Sequence, residues 1–206
     1  MRVLITGFGP FPGAPFNPSA RLAAALARRR RPALTAVTRS THVFETTYAS
    51  VDRDLPVLLK QTPDIVLMFG LAGRARELCI EARARNAVSL LFPDASGRQP
   101  PQRVIARGEP PALRGSAPLA RLLGAVRGAR VSVRLSRDAG NYLCNYAYWR
   151  ALERTRGGRV LVQFVHIPPL RSSPKLRKGG DPGITFPRLV AAAERLLIAL
   201  IAARRR

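Results

Sequence analysis

Residues 2–26 read RVLITGFGPFPGAPFNPSARLAAAL, and this stretch decides the fold. Arg2-Val3-Leu4-Ile5-Thr6 is a short apolar run with β-branched side chains, the pattern of a strand. It runs into Gly7-Phe8-Gly9-Pro10-Phe11-Pro12-Gly13, which is too rich in glycine and proline to be helix. Asn17-Pro18-Ser19 then places an N-cap at Asn17 and a proline at the first helical position, ahead of Leu22, Ala25 and Leu26 at helical spacing. Strand, loop and helix in that order point to an α/β layered domain with a mostly parallel sheet.

The rest of the chain alternates in the same way. A second strand is expected over Leu34–Thr38, and a helix over Tyr48–Leu59, weakened by Pro56. Asp64-Ile65-Val66-Leu67-Met68-Phe69-Gly70 is a continuous apolar run that ends in glycine, as in a strand buried on both faces. From Glu77 to Asn86, Leu78, Ile80, Ala82 and Ala84 alternate with Cys79, Glu81, Arg83 and Arg85, which reads as a half-exposed strand. Residues 94–118 are dense in glycine, proline and polar side chains and read as a surface excursion, with Val104-Ile105-Ala106 as its one short strand candidate. A helix over Leu119–Val126, a strand over Ala129–Leu135, a helix over Gly140–Arg154 and a strand over Arg159–His166 follow. Pro168–Gly183 is a basic, proline- and glycine-rich loop, and Phe186–Ala203 a final helix. No internal repeat is visible, and 206 residues suit one domain over 1–206.

Composition narrows the function. Hydrophobic residues make up 47% and charged residues 23%, enough to bury a core and unlike a disordered polyelectrolyte. The apolar run from Leu189 to Ala203 is interrupted by Glu194 and Arg195 and falls short of a membrane span. The first residues read as a strand instead of a secretory signal, and two cysteines make no disulfide framework, so a reducing cytoplasm is the expected compartment. Net charge is +23, which raises the question of nucleic acid. Yet all but Lys60, Lys175 and Lys178 of the 35 cations are arginine, and they are spread over nearly every segment. The denser groups, Arg28–Arg31 and Arg204–Arg206, sit where helices are expected to end, where cations complement the helix dipole and stay solvated. No aromatic residues interleave with them as stacking platforms would, so a nucleic-acid partner is disfavoured.

In an open α/β sheet, functional groups collect at the carboxyl ends of strands. Cys144 lies near the start of a helix that follows one strand, and His166 at the end of the next. A helix N-terminus or an imidazolium neighbour lowers a thiol from about 8.5 and populates the thiolate. From spacing alone, a small buried thiol and a strand-end imidazole with satisfied hydrogen bonds are the commoner meaning of such a pair. Cys79, two residues from Glu81 on one strand face, reads as structural, while His42 could face substrate or support a site. Two histidines and two cysteines show no metal-ligand spacing. GFGPFPG lacks both the GxGxxG spacing and the Lys-Ser/Thr ending of phosphate loops.

The combination of VLITGFGPF with Asn17-Pro18-Ser19, Gly70-Leu71-Ala72-Gly73 leading to Glu81 and Asn86, Asp138-Ala139-Gly140-Asn141-Tyr142-Leu143-Cys144-Asn145, and Phe164-Val165-His166-Ile167-Pro168 resembles the pyroglutamyl peptidase I family of cysteine peptidases. The match is collinear from residue 2 to about 170, and the motif around Cys144 is its most specific piece. The resemblance implies an α/β/α sandwich and removal of an N-terminal pyroglutamyl residue from peptides. It implies a Cys-His-Glu set that falls on Cys144, His166 and Glu81, with backbone N–H groups near Cys144 as oxyanion donors. Its lactam pocket falls on Phe8 and Phe11 as walls, on Tyr142 and Leu143 near the ring, and on Asn17 and Leu71. No metal or organic cofactor is implied, the partner is a pyroglutamyl peptide, and bacterial members are expected to associate as homo-oligomers. The chain departs from the family pattern at Leu71, Arg74, Leu91 and His42, all expected near the substrate pocket and the oxyanion site. Two other readings stay open: a divergent relative that binds another small acyl ligand, and an arginine-rich nucleic-acid module.

Overall fold

The computed structural model describes residues 1–11, 14–170 and 183–205. Pro12, Gly13, Arg206 and all but the ends of the Pro168–Gly183 loop lie outside the described residues. In chain order the elements are β1 (Arg2–Phe8), α1 (Pro18–Arg28), β2 (Thr38–Phe44), α2 (Tyr48–Lys60), β3 (Ile65–Leu71) and β4 (Leu78–Glu81). The short strands β5 (Ala84–Arg85) and β6 (Ala112–Leu113) come next, then α3 (Leu119–Arg127), β7 (Val133–Ser136), α4 (Leu143–Arg154), β8 (Leu161–Ile167) and α5 (Phe186–Arg204). Six strands form one sheet in the order β2-β1-β3-β8-β4-β7. Every neighbouring pair is parallel except β4 with β8, which is antiparallel.

Helices cover both faces. Leu22 and Leu26 of α1, Leu122 and Val126 of α3 and the apolar stripe of α5 pack on Val3, Ile5, Leu67, Ile80 and Val165. Val51 and Leu55 of α2 and most of α4 pack on Leu4, Val66, Met68 and Phe164 of the opposite face. The result is a three-layer α/β/α sandwich, as expected, because period-two alternation sends successive side chains of each strand to the two helical layers.

The opening unit forms as its residues dictate. Asn17 Oδ1 accepts from Ser19 N at 3.1 Å and Pro18 takes the first helical turn, where its missing N–H costs nothing. Asn17 Nδ2 donates back to Gly9 O at 3.1 Å and fixes the loop that follows β1. A Cβ on Gly7 would lie 2.6 Å from the Ser19 backbone, so α1 can press onto β1 only because that side chain is absent.

Several expectations are corrected. The second strand is Thr38–Phe44, while Pro32–Leu34 is a 3-10 turn whose Leu34 fills the core. As an edge strand, β2 carries polar residues on its exposed side, so the apolar marks lay outside it. β4 is buried on both faces, not half-exposed: Leu78 and Ile80 meet one helical layer, and Cys79 and Glu81 point to the other. Val104–Ala106 forms no strand. The short strand of the excursion is β6, paired with β5, and Asn86 holds the loop by accepting from Ile105 N and Ala106 N at 2.9 Å each.

The arginine groups are not simply solvated. Arg29 and Arg31 each meet a different oxygen of Glu194 at 2.9 Å, joining the end of α1 to α5. Other cations pair singly: Arg85 with Asp138, Arg156 with Glu109, Arg204 with Asp64. Among the described residues, no helix is long and apolar enough to cross a membrane.

Candidate active site

The carboxyl end of β3 abuts the start of α4. A Cβ on Gly70 would lie 2.6 Å from Cys144 Sγ and 2.8 Å from the Phe164 ring, so the sulfur rests on bare backbone there. Cys144 is half-buried at the second position of α4. That helix start has no side-chain cap from Tyr142 and no acidic residue in its first turn. The N–H groups of Leu143 and Cys144 thus lack intrahelical acceptors and lend the thiol the positive end of the helix dipole.

His166 comes from β8, beside Gly70 in register. Its Nδ1 is 2.7 Å from Glu81 Oε1, which leaves the other ring nitrogen for the hydrogen bond it makes with Cys144. Burial on its own would depress the imidazole. The negative charge and hydrogen bond of Cys144, then those of Glu81, outweigh it and the pKa is pushed up to about 10. This keeps the ring protonated opposite the Cys144 sulfur.

Glu81 is 1% exposed, at the point where β4 leaves the sheet. Its main-chain carbonyl accepts from Gln163 Nε2 at 2.9 Å and from the Tyr148 hydroxyl at 3.2 Å. These two side chains, both fully buried, take the place of a ladder partner and aim the carboxylate at His166. Sequence reasoning missed them: a polar residue in the apolar run Leu161–Ile167 was the signal, since a buried glutamine needs a partner. Glu81 Oε2 has no partner among the described residues.

A cavity of about 800 Å³ opens over these groups. Of the residues singled out from sequence, Cys144, His166, Glu81, Phe11, Leu71 and Tyr142 line it together. The Tyr142 hydroxyl donates to Pro93 O at 2.8 Å and ties the loop carrying Phe92 across the entrance.

Phe8, Asn17 and Leu143 are not among the residues that line it. Phe8 is buried against Phe44, Asn17 caps α1, and the Leu143 side chain turns into the core under α4, leaving only its N–H near the site. His42 stands on β2 with Nε2 3.1 Å from Asp54, outside the cavity. Leu91 is 80% exposed and also outside it, whereas Arg74 is on its wall. Cys79 shares the cavity, its thiol pushed up by burial, in register between His166 and Arg134.

Comparison with known proteins places this geometry in a family. A family model described as Pyroglutamyl peptidase matches residues 1–205. Pyrrolidone-carboxylate peptidase of Thermococcus onnurineus is 32% identical over 171 residues, 82% of this chain and 84% of that protein. Pyrrolidone-carboxylate peptidase 1 of Ralstonia nicotianae is 32% identical over 189 residues, 88% and 82% of the two chains. Among solved structures, a variant pyrrolidone carboxyl peptidase from Pyrococcus furiosus superposes with a TM-score of 0.87 at 26% identity, covering 99% of this chain and 100% of that one. A match over the whole described architecture, with relatives of this identity and coverage, shows that the chain belongs to the pyroglutamyl peptidase family.

Proposed function

We propose that the chain, acting as one domain in a reducing compartment, hydrolyses the bond that follows an N-terminal pyroglutamyl residue. The buried Glu81–His166 pair at 2.7 Å, hydrogen-bonded to Cys144 at an uncapped helix start, is the observation that carries the reading. The Cys144 thiolate attacks the pyroglutamyl carbonyl carbon. The N–H groups of Leu143 and Cys144 face the oxygen on which negative charge develops, where each donor is worth about 10²–10³ in rate. His166 gives its proton to the departing amine as the C–N bond breaks, and a water deprotonated by His166 then cleaves the thioester. Glu81 orients the ring and stabilises its charge throughout. Phe11, Leu71 and Tyr142 give a neutral lactam apolar walls.

The test is turnover of pyroglutamyl-aminomethylcoumarin under reducing conditions, beside Cys144→Ala. Release of coumarin by the parent and a loss of about 10⁴-fold or more in the variant is the expected result. Rapid alkylation of Cys144 without coumarin release would overturn the substrate assignment and leave a nucleophile for a different acyl ligand.

A further inference from the structure

The cavity extends past the reacting groups, and its far wall is cationic. Register across the sheet sets the direction. Gly70, beneath the sulfur, pairs with His166; His166 pairs with Cys79; Cys79 pairs with Arg134. The four therefore form one row over β3, β8, β4 and β7, with side chains on the α4 face. A leaving amine has to face His166 to receive its proton, so the departing peptide runs from β3 toward β7. With strands about 4.8 Å apart, Arg134 stands about 10 Å from His166 at the backbone. Two extended residues span about 7 Å, and side chains close the remainder.

The charges along this path do not cancel. Asp138 is occupied by Arg85 at 3.0 Å and by Gly140 N, and Asp94 by Tyr48 N, Ser96 and Arg98 N. Among the described residues Arg134 meets Glu77 at 3.5 Å and the Cys79 thiol, whose pKa burial pushes up, and its side chain is 54% exposed. Arg74, on the same wall, has no hydrogen bond or ion pair among the described residues. A planar guanidinium on a cavity wall, with no carboxylate partner among the described residues at Arg74 and only a long, part-exposed one at Arg134, is placed to receive a ligand's carboxylate.

We propose that Arg134, with Arg74, recognises a carboxylate on the first or second residue after the pyroglutamyl group, making acidic or very short peptides the preferred substrates. This rests on the pyroglutamyl peptidase reading above and names the leaving side of the same site. The carboxylate has two sources, a side chain or a chain terminus. Four peptides separate them: pyroglutamyl-glutamate amide against pyroglutamyl-glutamine amide, and pyroglutamyl-alanine against its amide.

At low salt kcat/KM is expected to favour the charged member of at least one pair by about two- to fivefold, as a half-exposed ion pair gives. The ratio shrinks in 1 M salt. Arg134→Ala brings it toward one, Arg134→Lys restores part of it, and Arg28→Ala, outside the cavity, leaves it intact and so separates a local contact from the diffuse +23. Equal rates within both pairs, or a ratio that Arg28→Ala and Arg134→Ala reduce alike, would overturn the proposal while the pyroglutamyl reading stands. Turnover of none of the four would overturn both.

Discussion

Two of the buried carboxylates of this protein, Glu194 on a helix and Glu81 on a strand, are treated differently. Glu194, 5% exposed on α5, has both oxygens engaged by separate guanidinium groups at 2.9 Å. Burial would raise its pKa, but the hydrogen bonds and charges of Arg29 and Arg31 hold it below the usual carboxylate range. Glu81 has one oxygen on His166 and the other without a partner among the described residues. The first is a closed electrostatic contact whose partners never change charge. The second faces a group that can take up and give away a proton, and its orientation comes from the backbone side through Gln163 and Tyr148. A fully satisfied buried acid joins elements together, and an under-satisfied one beside a titratable ring is arranged for chemistry.

Exchanging the functional acid for its amide gives the largest effect. Glu81→Gln is expected to lower kcat by about 10³–10⁴, because the imidazole loses both its orientation and the charge that stabilises its protonated form. The melting temperature should change by only a few degrees, since the variant removes a buried charge rather than leaving one stranded. A kcat within tenfold of the parent would erase the distinction between the two acids.

A smaller effect sharpens it. Only two histidines are present, so ring proton resonances can be assigned to His42 and His166 without ambiguity. In the parent, His166 should stay protonated above pH 8. In Cys144→Ser, with the sulfur's negative charge gone, the pKa of His166 should fall by roughly a unit or more. An unmoved His166 would mean that Glu81 alone sets its charge.

The smallest effect belongs to the closed contact. Glu194→Ala should cost about 1–2 kcal/mol, discounted because both arginines are partly exposed, and leave kcat unchanged. Its pH dependence has a definite sign. A carboxylate depressed on folding contributes stability above its unfolded pKa, near 4.5, and loses it as pH falls through the lower folded value. Denaturant titrations of parent and variant should therefore converge in acid below pH 4.5 and differ most near neutrality. Curves that stay parallel down to pH 2 would mean that the carboxylate's charge contributes nothing.

The same contrast explains what the sequence could reveal. β1, its loop and α1 were legible because their signals are local: an apolar strand, a glycine- and proline-rich turn, an Asn-Pro helix start. α2 and α4 carried their own helical patterns, although α4 begins at Leu143 and not Gly140. β2 was displaced because edge strands need little apolar surface, and the apolar Leu34 and Val37 fill the core from a turn. β4 looked half-exposed because Cys79 and Glu81 are polar, and nothing nearby in sequence says that Glu81 will meet a histidine 85 residues away. Cys144, His166 and Glu81 stood out through motif resemblance, and the structure brings them to one cavity. Gln163 carried no motif, and Phe8, Asn17 and Leu143 shared motifs with cavity residues while serving the packing beneath. Arg29 and Arg31 passed as solvated helix-end charges because their partner lies on the last helix.

The strand order also governs when a newly made chain becomes an enzyme. β3 and β4 follow each other in sequence, yet the sheet holds a vacant lane between them that only β8 fills. Until residue 167 has left the ribosome, Glu81 has no histidine, Gly70 has no neighbour on that side, and Cys144 has no imidazole beside it. At about 5–20 residues per second, synthesis of the stretch from Cys144 to the end of β8 takes roughly one to five seconds, during which the thiol stands without that strand. The site is therefore completed by strand order, with β8 as its last piece.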